Sequence, residues 1–144
     1  MVINCGNTLA HFLTQEDISA AFQSARECLH KHGVYLNALT DHRAGIDTQD
    51  RLRDINIHRA GQSKTVNFQV WTWIEEGKVY KCDDFSIIDH VKNDPELKKV
   101  SADFRIWSES ELKNISENCG FKEMQWIEPA QSGHHNPFYV CRAV

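Results

Sequence analysis

The 144-residue sequence has no excess of positive charge, no long apolar run and no internal repeat. Its formal net charge is −4, which argues against a polyanionic partner, so we expect no nucleic acid. No apolar stretch approaches the ~20 residues of a transmembrane helix and no signal peptide is visible, so we expect no membrane association. The 41% of hydrophobic and 25% of charged residues are typical of a globular domain with a substantial core.

The sequence also lacks a Cys-x-x-Cys pair. An odd number of widely spread cysteines argues against a disulfide framework and favours reduced thiols in a cytoplasmic protein: Cys5, Cys28, Cys82, Cys119 and Cys141. Two sets of residues invite a zinc interpretation, but their spacings match no standard ligand pattern, so we predict no metal site. These sets are His134 and His135 with Cys141, and His58 with Cys82 and His90.

The opening of the chain predicts a ligand-binding turn. Met1–Ile3 predicts a short buried strand, which breaks at Gly6-Asn7 before a helix that begins at about Thr14. A strand that ends in a small polar turn before a helix is where open α/β sheets bind ligands, just beyond the carboxyl ends of the strands. We therefore expect the chemistry of this protein to lie at residues 4–12.

Residues 14–39 predict a helix followed by a second strand. One apolar stripe has helical period, and Gly33 would supply the left-handed exit. The residues from Val34 to Leu39 then predict a strand that is apolar on both faces. A strand, a helix and a strand joined by a right-handed crossover predict parallel pairing. The stripe consists of Ile18, Ala21, Phe22, Ala25 and Leu29.

The middle of the chain predicts a β-hairpin. Residues 40–63 are polar, and a helical turn and a loop are equally compatible with them. From Lys64 the apolar period changes to two, and residues 75–78 turn the chain into a returning arm that can extend through Ile88. Residues 93–95 would break the chain before a third extended arm at 100–107. Trp71 and Trp73 share one face of the hairpin.

The last part of the chain predicts a helix and two antiparallel strands. Ser108 and Glu111 have the spacing of a capping box, and Gly120 ends the helix. One strand would follow at 121–127, then a loop at 129–137 and a closing strand at 138–143.

In order of elements and in three motifs, the sequence resembles the C-terminal half of a class I S-adenosylmethionine-dependent methyltransferase. Residues 5–11 resemble the turn after the fourth sheet strand of that family, 33–36 its fifth strand, and 107–121 the helix that leads into its last antiparallel pair. The glycine/sarcosine N-methyltransferase group is the most similar, because it has a related Gly-Asn-Ser/Thr-x-Ala-His turn and an Asp-His-Arg triplet, found here at 41–43.

The resemblance implies an α/β fold with a partial Rossmann-like sheet, made of parallel strands and a C-terminal antiparallel pair, and with a β-hairpin insertion. We expect one domain over 1–144, with 1–40 and 108–144 forming the Rossmann-like half and 41–107 the β-rich insertion. The implied function is methyl transfer from S-adenosylmethionine to a small-molecule acceptor, with an amine among the candidates. In such enzymes the β segment commonly covers the active site, so Trp71, Trp73 and Trp107 could form a substrate lid, although we favour packing.

No Gly-rich turn follows any strand of this sequence, although the family's first half has one for its cofactor. The resemblance therefore implies a missing N-terminal half, and a complementing half or a homo-oligomer is the partner expected. The alternative is a non-catalytic binding or dimerisation module derived from a methyltransferase.

The resemblance also implies roles for five residues. The backbone at Cys5 and Gly6 would line the cofactor pocket, and His11 would flank it. Asn7 would orient polar groups of the substrate, and Arg43 would bind a substrate carboxylate in bidentate fashion. Each has a structural alternative: Asn7 as a turn residue that bonds its own backbone, His11 as a helix-entry residue, and Arg43 as a surface charge. No catalytic residue is assigned.

Overall fold

The computed structural model describes residues 1–40, 51–61, 63–90 and 93–144. The chain divides into two compact units. One, here called the Rossmann-like unit, comprises Met1–Gly45 and Arg105–Val144, and the other, the insertion unit, comprises Ile46–Phe104. No helix among the described residues is both long enough and apolar enough to span a membrane.

Among the described residues, helices and strands alternate in the Rossmann-like unit, and those of the insertion unit form strands. In chain order they are β1 Val2–Asn4, a 3₁₀ turn Thr8–His11, α1 Gln15–Glu27, β2 Val34–Ala38, β3 Leu52–Ala60, β4 Ser63–Glu75, β5 Val79–His90, β6 Asn93–Arg105, α2 Glu109–Asn118, β7 Phe121–Ile127, α3 Pro129–Ser132 and β8 Phe138–Ala143.

The sheet of the Rossmann-like unit has the strand order β1-β2-β8-β7. β1 and β2 pair in parallel, with Ile3 opposite Leu36, which confirms the predicted βαβ unit. β8 pairs antiparallel with both β2 and β7. The last strand in the sequence is therefore an interior strand of a mixed sheet, which confirms the expected combination of parallel strands and an antiparallel pair.

Helix α1 covers one face of this sheet. Thr14 caps the helix by accepting the Asp17 N–H at 3.1 Å, as the sequence predicts. Ile18 and Phe22 are fully buried, and the Phe22 ring meets the Tyr35 ring edge to face at 5.2 Å. Ile18, Phe22 and Tyr35 together remove two aromatic rings and an aliphatic side chain from water, so these three residues form a large part of the core.

Helix α2 completes the same core. Its capping box is present, since Ser108 accepts the Glu111 N–H at 3.2 Å and Glu111 accepts the Ser108 N–H at 2.9 Å. Leu112 and Ile115 of this helix are buried in the core. The Trp107 side chain lies beside the helix entry, buried, and its Nε1 donates to the carbonyl oxygens of Leu9 and Phe12 at 3.2 and 3.1 Å. Trp107 is thus a packing residue, as we favoured.

Two local predictions in this unit are wrong. The first strand is not buried, because β1 is an edge strand and Ile3 is 53% exposed. The left-handed residue after α1 is His32, with a φ of 64°, rather than Gly33. Glycine is needed at position 33 for a different reason: a Cβ there would lie 2.8 Å from the His30 carbonyl oxygen and 2.9 Å from Leu29 Cδ2.

The insertion unit is an antiparallel sheet with the strand order β3-β4-β5-β6. The hairpin of β4 and β5 confirms the period-two prediction, including the extension through Ile88. β3 was not predicted, and residues 93–95 begin β6 instead of breaking the chain. Both are edge strands, in which polar residues can be exposed to water on both faces of the sheet. Pro95 is tolerated in β6 because an edge strand pairs on one side only, so the missing N–H of proline need not break a hydrogen bond inside the sheet.

The tryptophans of the insertion unit pack on a tyrosine. Trp71 stacks on Tyr80 at 4.4 Å, and Trp73 meets the same ring edge to face at 5.6 Å. Phe104 stacks on Tyr80 from the next strand at 5.4 Å. These contacts between neighbouring strands stabilise the sheet and support the packing interpretation.

Candidate functional site

Three chain segments meet at one rim of the Rossmann-like sheet. The parallel strands β1 and β2 end there, β8 begins there because it runs antiparallel to β2, and β7 ends there. We call this edge the carboxyl rim. It is formed by residues 5–11, residues 39–40 and the β7–β8 loop at 128–137. In open α/β sheets this is the side on which ligands bind.

Two hydrogen bonds join these segments. The Thr40 N–H donates to Asn7 Oδ1 at 3.1 Å, which connects the end of β2 to the turn after β1. The Leu39 N–H donates to the Pro137 carbonyl oxygen at 3.0 Å, which connects the end of β2 to the start of β8. The rim is therefore one hydrogen-bonded structure across three strands.

The turn after β1 has two consecutive left-handed residues, Gly6 with φ 73° and Asn7 with φ 59°. Glycine and asparagine are the residues that adopt this conformation most readily. The Thr8 hydroxyl donates to the Cys5 carbonyl oxygen at 2.8 Å, and the Ala10 N–H donates to the Asn7 carbonyl oxygen at 3.1 Å. These bonds fix the turn from within, so its shape does not depend on a ligand.

The turn leaves its backbone open to approach. A Cβ built on Gly6 would meet nothing within 4 Å, and Cys5 and Gly6 are both exposed. His11 is the last residue of the 3₁₀ turn and is exposed. Cys5, Gly6, Asn7 and His11 thus lie together on one turn of the rim, whereas Arg43 lies outside the described residues.

Asn7 does not bond its own backbone through its side chain, contrary to the structural alternative weighed above. Its Oδ1 accepts the Thr40 N–H instead, and the residue is half-buried. Among the described residues, Nδ2 of Asn7 has no hydrogen-bond partner, so this amide can donate to a ligand.

A polar pair, half-buried at Asn4 and fully buried at Asn37, lies next to the rim. Asn4 Nδ2 donates to Asn37 Oδ1 at 3.2 Å, and Asn37 Nδ2 reaches the Tyr139 carbonyl oxygen at 3.5 Å. Asn37 is fully buried, so these bonds compensate its desolvation and hold β1, β2 and β8 in register. In the sequence, Asn37 is an asparagine inside the apolar run Val34–Leu39, a pattern that indicates a buried, hydrogen-bonded amide.

Burial also sets the acidity of the phenol and thiol groups under the rim. Burial raises the pKa of Tyr35, and a hydrogen bond from Asn4 opposes that effect. Burial raises the pKa of Tyr139, whose hydroxyl bonds the Ser116 hydroxyl at 2.8 Å. Burial likewise raises the pKa of the Cys141 thiol to about 12. These groups stay protonated near neutral pH, so they act as core residues and not as bases or nucleophiles.

The β7–β8 loop contains the two adjacent histidines that were weighed as zinc ligands. Cys141 does not complete such a site, because it is buried with Sγ 3.8 Å from the Tyr35 carbonyl oxygen. No group of three or more histidine, cysteine or acidic residues among the described residues could hold a metal ion. The rings of His134 and His135 instead contact each other in a tilted arrangement, with ring centroids 4.2 Å apart.

Comparison with known proteins identifies this architecture. No protein-family model and no curated protein matches the sequence. The S-adenosylmethionine-bound amino pentose methyltransferase CalS10 from Micromonospora echinaspora superposes on 99% of the chain with a TM-score of 0.79. The chain has a methyltransferase-like α/β fold. Sequence identity to CalS10 is 12%, so the likeness concerns the fold.

Two other solved structures agree with this assignment of the fold. DesVI from Streptomyces venezuelae matches 99% of the chain with a TM-score of 0.78 at 14% identity. The sugar N-methyltransferase KedS8 from Streptoalloteichus matches 99% with a TM-score of 0.78 at 10% identity. The chain spans 57%, 58% and 55% of the lengths of CalS10, DesVI and KedS8.

Proposed function

We propose that this chain forms part of an S-adenosylmethionine-dependent methyltransferase that methylates an amino group of a small molecule, and that the acceptor is an amino sugar. The observation that carries the proposal is the open, internally hydrogen-bonded turn at Cys5–Asn7, at the carboxyl rim of a methyltransferase-like sheet. The acceptor class is supported by two neighbours, which are described as an amino pentose methyltransferase and a sugar N-methyltransferase.

The turn after β1 fits a cofactor that approaches the bare backbone. S-adenosylmethionine, when bound, supplies an electrophilic methyl group on a sulfonium. The backbone of Cys5 and Gly6 would line its pocket, because a Cβ built on Gly6 meets no atom of the described residues within 4 Å, its chain neighbours aside. His11, exposed at the end of the 3₁₀ turn, would flank it. The Cys5 carbonyl oxygen retains a second lone pair beyond its bond to Thr8.

Asn7 would orient the acceptor. Its Oδ1 is held by Thr40, so the amide plane is fixed and Nδ2 can donate to an oxygen of the acceptor. The carboxylate-binding role that the resemblance implies for Arg43 belongs to an amino-acid acceptor, and an amino sugar offers no carboxylate for it. Methyl transfer needs little acid–base chemistry and depends on alignment and exclusion of water, so fixed polar groups of this kind are the contribution expected from this rim.

A complementing N-terminal half, on the same or on a separate chain, would add a parallel strand to the outer edge of β1. β1 is an edge strand of three residues, and Ile3 is 53% exposed on the face it shares with Leu36. That face is only half covered at Leu36 and Val140, whereas α1 and α2 cover the other. The complementing half would also supply the Gly-rich turn for the cofactor, because no such turn follows any strand of this sequence.

A narrower assignment to the glycine/sarcosine N-methyltransferase group rests only on the Gly-Asn-Thr-Leu-Ala-His turn and the triplet at 41–43. The comparisons do not link the chain to that group. We therefore propose the amino sugar as acceptor in preference to an amino acid.

Calorimetry with S-adenosylhomocysteine tests the proposal. The ligand is titrated into the chain alone and into the chain with the polypeptide encoded immediately upstream. We expect binding at least in the second case, and Gly6→Ala should weaken it about tenfold, because a methyl group enters the open space. Gly77→Ala is the matched control, since Gly77 also has a left-handed φ, 71°, and open space, but lies in the β4–β5 hairpin.

Absence of binding in both preparations would contradict the catalytic proposal. It would favour the alternative, a non-catalytic module that associates through the β1 edge. Light scattering would then be expected to show a dimer, because an unpaired sheet edge promotes association.

A further inference from the structure

The β7–β8 loop closes the far side of the carboxyl rim. Its last residue, Pro137, accepts the Leu39 N–H at 3.0 Å, so the loop is anchored to the end of β2. β8 lies two strands from β1, and strands are spaced by ~4.8 Å, so the start of β8 is roughly 10 Å from the end of β1. A small molecule whose amine lies at the β1 turn can therefore contact this loop with its opposite end.

The backbone of the loop holds its two histidines in place. Gly133 adopts a left-handed φ of 72° at the end of α3, and the His134 N–H donates to Ser132 Oγ at 3.1 Å. The His134 ring packs between His135 at 4.2 Å and Phe138 at 4.9 Å, centroid to centroid. These contacts hold the His134 imidazole in place, and the His135 ring rests against it.

The backbone of Asn136 can satisfy Nδ1 of His134 in either tautomer. Nδ1 lies 3.1 Å from the backbone nitrogen of Asn136 and 3.2 Å from the carbonyl oxygen of that residue. Unprotonated, it accepts the N–H, and protonated, it donates to the carbonyl. Within the described part of the chain, Nε2 of His134 and both ring nitrogens of exposed His135 make no hydrogen bond. These nitrogens offer both donors and acceptors, which is what a hydroxyl group requires.

We propose that His134 and His135 bind hydroxyl groups of the methyl acceptor, at the end of the acceptor remote from its amine. This inference rests on the proposed function, because the amine must lie at the β1 turn for the other end to reach the loop. It identifies the acceptor as a polyhydroxylated amine and assigns the paired imidazoles a role in positioning it.

Histidine side-chain NMR tests this directly. The full chain, with its complementing polypeptide where that is required, is labelled on its imidazole rings, and the resonances are assigned with His134→Gln and His135→Gln. The probe is 3-amino-3-deoxy-D-glucose, and cyclohexylamine serves as an amine without hydroxyl groups. We expect the amino sugar to shift the resonances of His134 and His135 in a saturable manner and cyclohexylamine to leave them unchanged.

Binding measurements on the variants complete the test. Loss of one hydrogen bond should weaken binding of the amino sugar about fivefold in His135→Gln. His30→Gln is the matched control, because exposed His30 lies between α1 and β2, at the opposite edge of the sheet. It should bind the amino sugar as the unmodified chain does.

Titration of S-adenosylhomocysteine into the same samples separates the two proposals. If the cofactor product binds and the amino sugar shifts neither histidine, the inference is overturned and the proposed function stands. If cyclohexylamine shifts the resonances of His134 and His135 as much as the amino sugar does, the proposed recognition of hydroxyl groups is overturned. If the cofactor product does not bind either, both proposals fail.

Discussion

Asn7 Oδ1 lies 3.1 Å from the backbone nitrogen of Thr40, and this hydrogen bond joins the segments that follow the two parallel strands. The residue that shapes the turn after β1 through its left-handed backbone thus also fixes the position of that turn relative to β2. The geometry of the candidate site and the stability of the sheet therefore depend on the same side chain.

Replacing Asn7 should separate these two contributions. Asn7→Ala removes the bond and strains the left-handed backbone, and we expect it to lower the free energy of unfolding by about 2–3 kcal/mol. Asn7→Gly removes the bond without the strain and should lower it by about 1 kcal/mol. Urea unfolding followed by tryptophan fluorescence measures both values. Equal stability of Asn7→Gly and the unmodified chain would show that the bond to Thr40 contributes nothing.

The buried pair of Asn4 and Asn37 should show strong coupling. Removing one partner leaves the other unsatisfied, and Asn37→Ala should lower the free energy of unfolding by about 1–3 kcal/mol because Asn37 is fully buried. A double-mutant cycle with Asn4→Ala should give an interaction energy of about 0.5–1.5 kcal/mol. Additive effects would mean that the two amides act independently.

Trp107 should be sensitive to loss of its ring nitrogen. Trp107→Phe removes the donor to the Leu9 and Phe12 carbonyl oxygens and weakens the stacking of the Arg105 guanidinium, 4.0 Å above the ring. We expect a loss of about 2–3 kcal/mol in unfolding free energy. Trp73→Phe, on the insertion sheet, keeps an edge-to-face aromatic contact with Tyr80 and should be milder in the same urea measurement. The opposite ranking would contradict the assignment of Trp107 as a hydrogen-bonded core residue.

The thiol of Cys141 should make stability fall at alkaline pH. Its pKa is raised from 9.0 to about 12 by burial, so the unfolded chain loses this proton first as the pH rises. The contribution is fully present below pH 9, and between about pH 9 and 12 the free energy of unfolding should decrease by up to ~1.4 kcal/mol per pH unit.

Cys141→Ala should reduce this alkaline slope. Burial also raises the pKa of Cys82 to about 12, so that thiol keeps its own contribution to the slope. Cys28→Ala, at an exposed cysteine, is the matched control that should leave the slope unchanged. Urea unfolding at pH 8, 9 and 10 measures the slope for each. A slope that is unchanged in Cys141→Ala would show that the thiol is not desolvated in the folded chain.

Sequence reasoning predicts those parts of the fold in which a local pattern and the tertiary structure agree. The apolar stripe of α1 and the capping box of α2 are both found, and the bounds of β7 and β8 match the predicted ranges. The edge strands β3 and the first part of β6 were missed because most of their residues are polar, and the apolar residues that they contain, such as Ile55 and Ile57, are exposed. The exposure of Ile3 depends on the strand order, which no local pattern contains.

In the candidate site, too, the local features can be predicted from the sequence and the contacts between distant segments cannot. The Gly6-Asn7 turn is a local feature, and its left-handed conformation follows from the residue types. The bond from Thr40 to Asn7 and the approach of the β7–β8 loop to Leu39 depend on which strands become neighbours. The burial of Asn37 can be predicted, because an amide inside an apolar run indicates a buried polar residue. Its hydrogen-bond partners cannot, because they lie in β1 and β8, 33 and 102 residues away in sequence.

The interior position of β8 has a consequence for biosynthesis. Residues 138–143 fill the gap between β2 and β7, so neither neighbour can complete its ladder until this segment has left the ribosome. Until then the nascent chain presents an incomplete sheet whose apolar surface is a target for chaperones. Pulse-labelled chains that end before residue 138 should accordingly remain sensitive to protease, and chains that extend well beyond residue 143 in the same translation system should become resistant.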